Sequence, residues 1–332
     1  MAEDTRPVVV VGPGAVGTML AAQLQRNLPG QRVYLAGSTS PSPETSAHLD
    51  EIMNNGVHIH GESAYTARPL VCRGAVGITA SHLFFTVKAG RVGEAAAEFS
   101  KMAGEGTITA VFSNGLDVCK DLPPAYRKRG VVRGLVNTGA EIEKPGQVHQ
   151  FGALDVTLAP GPGAAEDAAL VGRLAELLGP LGIRVRQERD GEEAEWRKAV
   201  ANAVINPLGA ALELRNGELL DTPSAAVLVD ALAKELQALI DAEGMALDAL
   251  EIVRETARAT AGNRNSMWQD LMRGRRSEIR EVTGRFIERA DARGVLFSAH
   301  KALYYRILSL ERDSVSQDAQ GEESLDTEGG NS

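Results

Sequence analysis

Three polar side chains recur at every fourth residue of an otherwise apolar segment, and their types suit acid catalysis and binding. Lys198, Asn202 and Asn206 stand among alanine, valine, isoleucine and leucine in residues 195–219. In a helix, a step of four residues leaves each side chain only about 40° from the last, so the three line one face. A lysine can donate a proton or hold an anion, and amides can orient a substrate. The stripe predicts the wall of a polar cleft, with a hydrogen-bonded core or a solvated face as the alternatives.

A glycine-rich turn near the start of the chain has the pattern of a dinucleotide-binding loop. Residues 12–17 read GPGAVG, directly after the apolar run 8–11 and before a helical segment. In such loops the first glycine makes the turn, the second lets backbone approach a pyrophosphate, and the third lets the helix lie close to the strand. The pattern predicts a dinucleotide site, with a purely structural turn as the alternative.

The end of the second predicted strand, 32–36, bears on which dinucleotide is bound. NAD-binding proteins carry a carboxylate there for the ribose 2′-hydroxyl, and residues 37–39 contain none. The hydroxyls of Ser38 and Thr39 could receive a 2′-phosphate instead, so the sequence favours NADP(H). Lys88 ends another predicted strand and is the candidate cation, with a solvated surface charge as the alternative.

Strands and helices alternate through the first half of the chain, and helices fill the second half. The predicted strands are 8–11, 32–36, 82–88, 107–112, 131–136, 147–151, 153–159 and 183–187, and the predicted helices between them are 18–28, 91–103 and 166–179. The later helices are 192–212, 223–243, 247–261, 265–273, 280–293 and 299–312. This order predicts an α/β plus all-α fold: a Rossmann-like doubly wound sheet in domain 1–189 and a helical domain in 190–312.

Composition excludes several classes of protein. The chain has 332 residues, a formal charge of −9 and 43% hydrophobic residues, which suits a globular protein of two domains. Net acidity argues against nucleic-acid binding, and no apolar run reaches the length of a membrane span. Cys72 and Cys119 lie far apart without metal-ligand spacing, so we expect a reducing, cytoplasmic location.

The acidity is concentrated at the C-terminus. Six acidic residues and no basic residue follow Arg312, so residues 1–312 carry a formal charge of only −3. Residues 313–332 contain few large apolar side chains that could offset the entropy of ordering. We expect 313–332 to be a disordered tail, with an acidic interaction tail as the alternative.

Motifs for metal binding and nucleophilic catalysis are missing from the sequence. The six histidines form no HExxH pair, and the spacing of His58 and His60 suits residues that flank a strand rather than metal ligands. The GxSxG and phosphate-loop patterns are also missing. We therefore expect no metal site.

Six segments match the motifs of one family in order along the chain. They are GPGAVG at 12–17, VKA at 87–89, SNGLD at 113–117, WRKAVANAVINPL at 196–208, NGEL at 216–219 and NSMWQDLMRGRRSEI at 265–279. Together, over roughly residues 7–310, they resemble the ketopantoate reductase (2-dehydropantoate 2-reductase) family. The resemblance implies NADPH-dependent reduction of 2-dehydropantoate to pantoate in pantothenate and coenzyme A biosynthesis, with an active site between a Rossmann domain and a helical domain.

The resemblance also implies roles for individual residues. Lys198 would donate a proton to the developing alkoxide, while the nicotinamide C4 transfers a hydride to the keto carbon. The substrate would be held by Asn202, Asn206, Asn216 and Ser266, with Asn263 beside them and Asn114 at the edge. The cofactor would be contacted by Gly12, Pro13, Gly14, Ala15, Val16, Gly17, Lys88, Asn114, Ala140 and Glu278.

Three places depart from the usual pattern of the family. Arginine is frequent near Ser38, glutamine is usual at Ser113, and Pro-x-Asn is common where residues 298–300 read Ser-Ala-His. The first departure leaves the source of an NADPH preference open. The third bears on how the last helix closes the cleft.

Two other functions stay open at this point. A sibling NADP-dependent reductase would act on another 2-oxo acid or ketone, and a dinucleotide-binding regulator would have no turnover. The combination of Lys198, Asn202 and Glu278 argues against the regulator. The expected partner is a small 2-oxo acid. Family members occur as monomers and dimers, so a homodimer is also open.

Overall fold

A computed structural model of the chain describes residues 4–162 and 167–325, with side chains as far as Arg312. The chain divides into two compact units, and the boundary along the chain falls between Glu195 and Trp196. The boundary predicted from the sequence lies a few residues earlier, between 189 and 190. It falls just before the first long helix of the second half.

The first unit contains all the strands of the described residues, arranged in two sheets. In chain order they are β1 (Val8–Val11), β2 (Val33–Gly37), β3 (Val57–Gly61), β4 (Tyr65–Ala67), β5 (Leu70–Arg73), β6 (His82–Phe85), β7 (Ile108–Val111), β8 (Val131–Val136), β9 (Gly139–Lys144), β10 (Gln147–Phe151), β11 (Asp155–Pro160) and β12 (Arg184–Gln187). The larger sheet has the order β12-β11-β8-β7-β6-β1-β2-β5. Its neighbours pair in parallel except β8 with β11, which confirms the predicted mostly parallel sheet.

Helices cover both faces of this sheet. They are α1 (Ala15–Asn27), α2 (Pro43–Asn55), α3 (Val92–Glu98), α4 (Pro124–Arg127) and α5 (Asp167–Leu178). Because successive side chains of a strand point to opposite faces, Val8 and Val10 share a core with α1, α2 and α5, whereas Val9 and Val11 share one with α3. Burial on both faces accounts for the uninterrupted apolar run at 8–11.

The second sheet was not predicted from the sequence. It has the order β4-β3-β10-β9, and α1 packs against it as well as against the larger sheet. Its strands are short and covered on one face only: Ile59 and Val148 are buried, while His58, His60 and His149 are partly exposed. His58 and His60 thus lie within β3 rather than beside a strand. Half-polar strands of this length give a weak sequence signal.

The described residues of the second unit are helical, as predicted. The helices are α6 (Gly191–Leu212), which starts in the first unit, α7 (Glu218–Asp221), α8 (Pro223–Glu243), α9 (Ala249–Ala259), α10 (Ser266–Met272), α11 (Arg285–Arg293) and α12 (Ser298–Leu325). A π-helical turn, Arg280–Gly284, leads into α11. Among the described residues, no helix is long and apolar enough to cross a membrane.

The last helix differs from its prediction. Helix α12 continues to Leu325, whereas the sequence predicted its end at 312 and a disordered tail over 313–332. Extending an existing helix adds one hydrogen bond per residue without the cost of a new nucleus, so a polar segment can follow an apolar one in the same helix. Residues 326–332 lie outside the described residues.

A buried histidine and a glutamate connect α12 to α8. The Glu235 carboxylate accepts hydrogen bonds from the backbone N–H groups of Ala299 (2.8 Å) and His300 (3.0 Å) and lies 2.9 Å from His300 Nδ1. His300 is fully buried and stacks on Phe297. Burial lowers the pKa of His300. Burial also raises the pKa of Glu235, but these hydrogen bonds outweigh it and leave that pKa below its usual value. The pair is therefore a neutral imidazole donating to a carboxylate.

This pair makes stability depend on pH. The pKa of His300 is below the unfolded value of about 6.5, so below that pH the unfolded chain binds more protons and stability falls as the solution is acidified. We expect His300→Asn, which keeps a side-chain N–H for Glu235, to flatten the fall of Tm between about pH 6.5 and 5. Thermal unfolding at several pH values measures this. The control His149→Asn removes a partly exposed histidine and should keep the wild-type slope. A wild-type slope in His300→Asn would contradict the assignment.

Candidate active site

The glycine turn between β1 and α1 is shaped by close backbone contacts. Gly12 has φ of +110°, and a Cβ there would lie 2.7 Å from the backbone nitrogen of Val87. A Cβ on Gly17 would collide with the Gly12 carbonyl oxygen and the Thr86 hydroxyl. A Cβ on Gly14 would have no atom within 4 Å. Gly12 and Gly17 are therefore required by packing, whereas Gly14 is exposed and leaves an open space.

That open space is what a dinucleotide needs. Gly14 is the N-cap of α1 and offers no side chain to the first N–H groups of the helix. Uncapped N–H groups at a helix N-terminus favour an anion, and a missing Cβ lets a pyrophosphate approach them. Pro13, Ala15 and Val16 are partly exposed around the same opening. The turn fits the phosphates of a dinucleotide.

Two further loops lie against the glycine turn, because β1, β6 and β7 are parallel neighbours and their carboxyl ends share one edge. The Thr86 hydroxyl lies 2.9 Å from the carbonyl oxygens of both Val11 and Gly12. The Ser113 hydroxyl donates to the carbonyl of Val87 at 2.5 Å. Ligands of doubly wound sheets bind at this edge. Thr86 was not predicted as a site residue, although a hydroxyl residue directly after a buried strand is a usable signal.

The two predicted site residues in these loops are accessible. The sequence predicted that Lys88 ends this strand, which is wrong because β6 ends at Phe85. Lys88 lies in the following loop, where it is exposed. Asn114 is partly exposed although Ser113 and Gly115 on either side are buried. Both side chains thus belong to the edge that carries the glycine turn.

Ala140 is the remaining predicted cofactor residue of the first unit. It lies in β9, where it pairs with Gln150 of β10. It is partly buried against the core that α1 shares. The structure thus places Ala140 on the second sheet, which packs on the helix that starts from the glycine turn.

The end of β2 carries charges that the sequence did not predict there. The backbone N–H of Thr39 donates to the carboxylate of Glu98 on α3, at 2.8 Å. Arg73 of β5 pairs in register with Gly37, and its guanidinium lies 2.7 Å from Asp50. Residues 37–39 contain no carboxylate, as the sequence shows, but α3 brings the carboxylate of Glu98 to the end of β2.

The polar stripe of α6 is the exposed edge of a buried helix. Lys198, Asn202 and Asn206 are partly exposed, and all the remaining residues from 199 to 210 are buried. Nearby, Trp196 is fully buried and packs edge-on against Phe286 of α11. A hydrogen-bonded core would have buried the three polar residues too, so the pattern argues against that alternative and is compatible with a cleft wall or a solvated face.

An asparagine that the sequence analysis left without a role connects α10 to this stripe. Asn265 caps α10: its side-chain oxygen Oδ1 accepts from the backbone N–H of Trp268 at 3.0 Å. Its amide donates a long hydrogen bond, 3.4 Å, to the carbonyl of Ile205, beside Asn206. A Cβ on Gly209 would meet the same amide at 2.5 Å. Asn265 therefore brings Ser266, the first residue of α10, to the part of α6 that carries Asn206.

Asn216 and Asn263 are also brought together. The backbone N–H of Asn216 donates to the carbonyl of Asn263 at 3.1 Å, and the Asn216 amide donates to the Thr260 hydroxyl at 2.8 Å. The side-chain oxygen of Asn216 is buried with no hydrogen-bond partner among the described residues. Buried polar atoms are rarely left so, and an orphaned acceptor suits a hydroxyl or amine of a ligand.

Glu278 stands in a segment held by another glutamate. The Glu311 carboxylate accepts from the backbone N–H and the hydroxyl of Ser277, at 2.9 and 2.7 Å, and pairs with Arg280 at 2.8 Å. Burial raises the pKa of Glu311, but these hydrogen bonds leave it below its usual value. Glu278 itself is partly exposed, just before the π-helical turn. Such turns often mark functional sites.

A doubly wound sheet with this glycine turn, followed by a helical unit with a polar stripe, is typical of oxidoreductases that use a nicotinamide dinucleotide. Family comparisons agree. Residues 8–163 match the family described as ketopantoate reductase PanE/ApbA, and residues 190–311 match its C-terminal domain. The chain belongs to the ketopantoate reductase family, which confirms the resemblance.

Individual relatives are similar over nearly their whole length. The 2-dehydropantoate 2-reductase of Archaeoglobus fulgidus is 28% identical over 304 residues, 92% of this chain and 97% of that protein. The crystal structure of a PanE/ApbA family ketopantoate reductase from Ralstonia eutropha has a TM-score of 0.79 at 23% identity, covering 92% and 99% of the two chains. The ternary structure of D-mandelate dehydrogenase with NADH and anilino(oxo)acetate has a TM-score of 0.80 at 21% identity, covering 92% and 98%.

The glycine turn provides a matched pair of substitutions. We expect Gly14→Ala to fold with the Tm of wild type and to bind its nicotinamide dinucleotide at least tenfold more weakly, because its methyl group enters the open space. We expect Gly17→Ala to lose several kcal/mol of stability or fail to fold, because its methyl group meets backbone. Tm and fluorescence titrations with NADPH and with NADH measure the two effects. Unchanged dinucleotide affinity in Gly14→Ala would remove the turn from the cofactor site.

Proposed function

We propose that this protein reduces 2-dehydropantoate to pantoate with NADPH, a step of pantothenate and coenzyme A biosynthesis. The observation that carries the proposal is the α6 stripe, where Lys198, Asn202 and Asn206 alone reach the surface of a buried segment. The curated relatives that match most of the chain are named 2-dehydropantoate 2-reductases, which supports the choice of substrate.

Lys198 is the proposed proton donor. When bound, NADPH supplies a hydride from the nicotinamide C4 to the keto carbon of the substrate. The Lys198 ammonium stabilises the negative charge that develops on the carbonyl oxygen and transfers a proton to it. Asn202 and Asn206, one and two turns further along the same face, orient the substrate through amide hydrogen bonds.

The remaining predicted residues complete the proposal. Ser266 is set beside the stripe by Asn265, and the unpartnered oxygen of Asn216 offers an acceptor for a substrate hydroxyl. Asn263, which is hydrogen-bonded to Asn216 through the backbone, is assigned to the same substrate group. Cofactor contacts are assigned to residues 12–17, Lys88, Asn114, Ala140 and Glu278.

We place the reaction in the cytoplasm. Cys72 and Cys119 are both buried and are not joined in a disulfide, as a reducing compartment would leave them. Burial raises the pKa of Cys72 to about 11, so little thiolate forms at neutral pH. A small-molecule 2-oxo acid is the proposed partner, and a homodimer is left to measurement of the mass in solution.

Replacing Lys198 tests the proton donor. General acid catalysis contributes about 10²–10⁴ in rate, so we expect Lys198→Ala to lower kcat by that factor in a steady-state NADPH oxidation assay. Its Tm should stay close to that of wild type, because Lys198 is partly exposed. The matched control is Lys234→Ala, which removes an exposed lysine from α8. A kcat within about threefold of wild type would exclude Lys198 as the acid.

The same assay with a panel of 2-oxo acids tests the substrate. Turnover of 2-dehydropantoate well above that of the other acids supports the proposal. Turnover of another acid only would identify a sibling reductase. Tight NADPH binding without any turnover would identify a dinucleotide-binding regulator.

The preference for NADPH is proposed to rest on Ser38 and Thr39 and to be limited by Glu98. Two unit charges about 4 Å apart in water repel by about 1 kcal/mol, and a phosphate carries nearly two charges. The Glu98 carboxylate, held at the Thr39 N–H, therefore opposes a 2′-phosphate by roughly tenfold in affinity.

Neutralising this carboxylate should sharpen the preference. We expect Glu98→Gln to raise the ratio of kcat/KM for NADPH to that for NADH about tenfold. Glu94→Gln, which makes the same change at an exposed position of the same helix, should leave the ratio alone. An unchanged ratio in Glu98→Gln would show that no 2′-phosphate lies near Thr39. Equal kcat/KM for the two dinucleotides in wild type would contradict the proposed use of NADPH.

A further inference from the structure

A buried ion pair contacts the loop that carries Asn114. Arg133 of β8 and Glu195 of α6 are joined by Nε and Oε1 at 2.7 Å, and their side chains are only 3% and 11% exposed. Desolvating two charges costs several kcal/mol each, and buried pairs often contribute less stability than apolar residues of the same volume. Stability alone therefore gives no reason for this pair, so its hydrogen bonds to other groups have to be considered.

One of these hydrogen bonds stays within β8, from Arg133 to the carbonyl oxygen of Gly134 at 2.7 Å, and the others reach the end of β7 and the loop that follows it. Arg133 donates to the carbonyl oxygens of Val111 at 2.9 Å and Gly115 at 3.4 Å. The second carboxylate oxygen of Glu195 accepts the backbone N–H of Asp117 at 2.8 Å. The ion pair thus binds the loop before Asn114, directly after it and again three residues after it.

The loop needs such support because its backbone is unusual. Gly115 has φ of +116°, and Asp117 has φ of +61°, in the left-handed region that costs a residue with a side chain about 1 kcal/mol or more. Conformations of this kind persist only where surrounding contacts enforce them. With both charges satisfied, Arg133 and Glu195 provide such contacts.

The loop in turn touches the proposed cofactor edge. Ser113 hydrogen-bonds the carbonyl of Val87, next to Lys88, and Thr86 hydrogen-bonds the glycine turn. We propose that Arg133 and Glu195 are positioning residues, which hold residues 113–117 so that Asn114 reaches the bound dinucleotide. The inference rests on the proposed function for the role of Asn114.

The test is a double substitution that removes both charges together. Arg133→Met with Glu195→Leu leaves no unpaired charge in the interior, so we expect the variant to fold, with a Tm below that of wild type because backbone groups lose their hydrogen bonds. The loop loses its anchors, so its amide hydrogens should exchange faster over residues 113–118. The Kd for NADPH should rise about tenfold, the equivalent of one net hydrogen bond to the ligand.

A merely structural role would not give this pattern. The control Arg186→Met breaks the more exposed pair with Asp155 in the same unit and should change neither loop exchange nor NADPH affinity. Wild-type loop exchange in a folded double variant would show that the pair does not hold the loop. Faster exchange with unchanged Kd would show that the loop does not position a cofactor contact. If the double variant fails to fold, Arg133→Lys, which lacks the planar fork that serves four acceptors, gives the same two readouts.

Failure of the proposed reaction gives a different result. A wild-type protein that binds NADPH but reduces no 2-oxo acid would contradict the reductase, while the Kd and exchange measurements would still decide the role of the ion pair. A wild-type protein that binds neither NADPH nor NADH would overturn both.

Discussion

The burial of residues 199–210 of α6 determines which residue types this helix can carry. Residues 199–210 of this helix are covered on nearly all sides, so a polar residue among them is tolerated only along the strip that reaches the surface, whereas the buried Glu195 before them is paired with Arg133. Lys198, Asn202 and Asn206 occupy that strip. The same crowding places Gly209 where Asn265 approaches. The surroundings of the helix thus determine which of its positions are apolar, polar or glycine.

Much of this was predictable because the signals are local. Helix α8 (Pro223–Glu243) has the predicted bounds, and β1 and β8 match theirs, since periodicity and apolar runs act within a few residues. The α6 stripe was also readable, because four-residue spacing and residue type are enough to place side chains on one face.

Contacts across long chain separations were not predictable. Glu98 reaches Thr39, and Arg133 reaches Glu195, across about sixty residues in each case. Their identities carry no signal before the fold is known, because a glutamate on a helix is usually a solvated residue. The second sheet was missed for a related reason, since the helix it packs on, rather than a local pattern, stabilises it. The continuation of α12 was missed because it extends an existing helix and carries no apolar pattern of its own.

Four glutamates share one task, which gives the acidity of the chain a different meaning. Glu98, Glu195, Glu235 and Glu311 each accept backbone N–H groups of a distant segment. Polar loops that present side chains to a ligand cannot be held by apolar packing, whereas a carboxylate can satisfy their N–H groups. Three of the four also have a histidine or arginine partner. The partner of Glu195 and Glu311 is an arginine, which offsets their charge, so these two repel an anionic ligand little. Glu98 has no side-chain partner among the described residues, so under the proposed cofactor assignment it is the one of the four expected to act on the choice between NADPH and NADH.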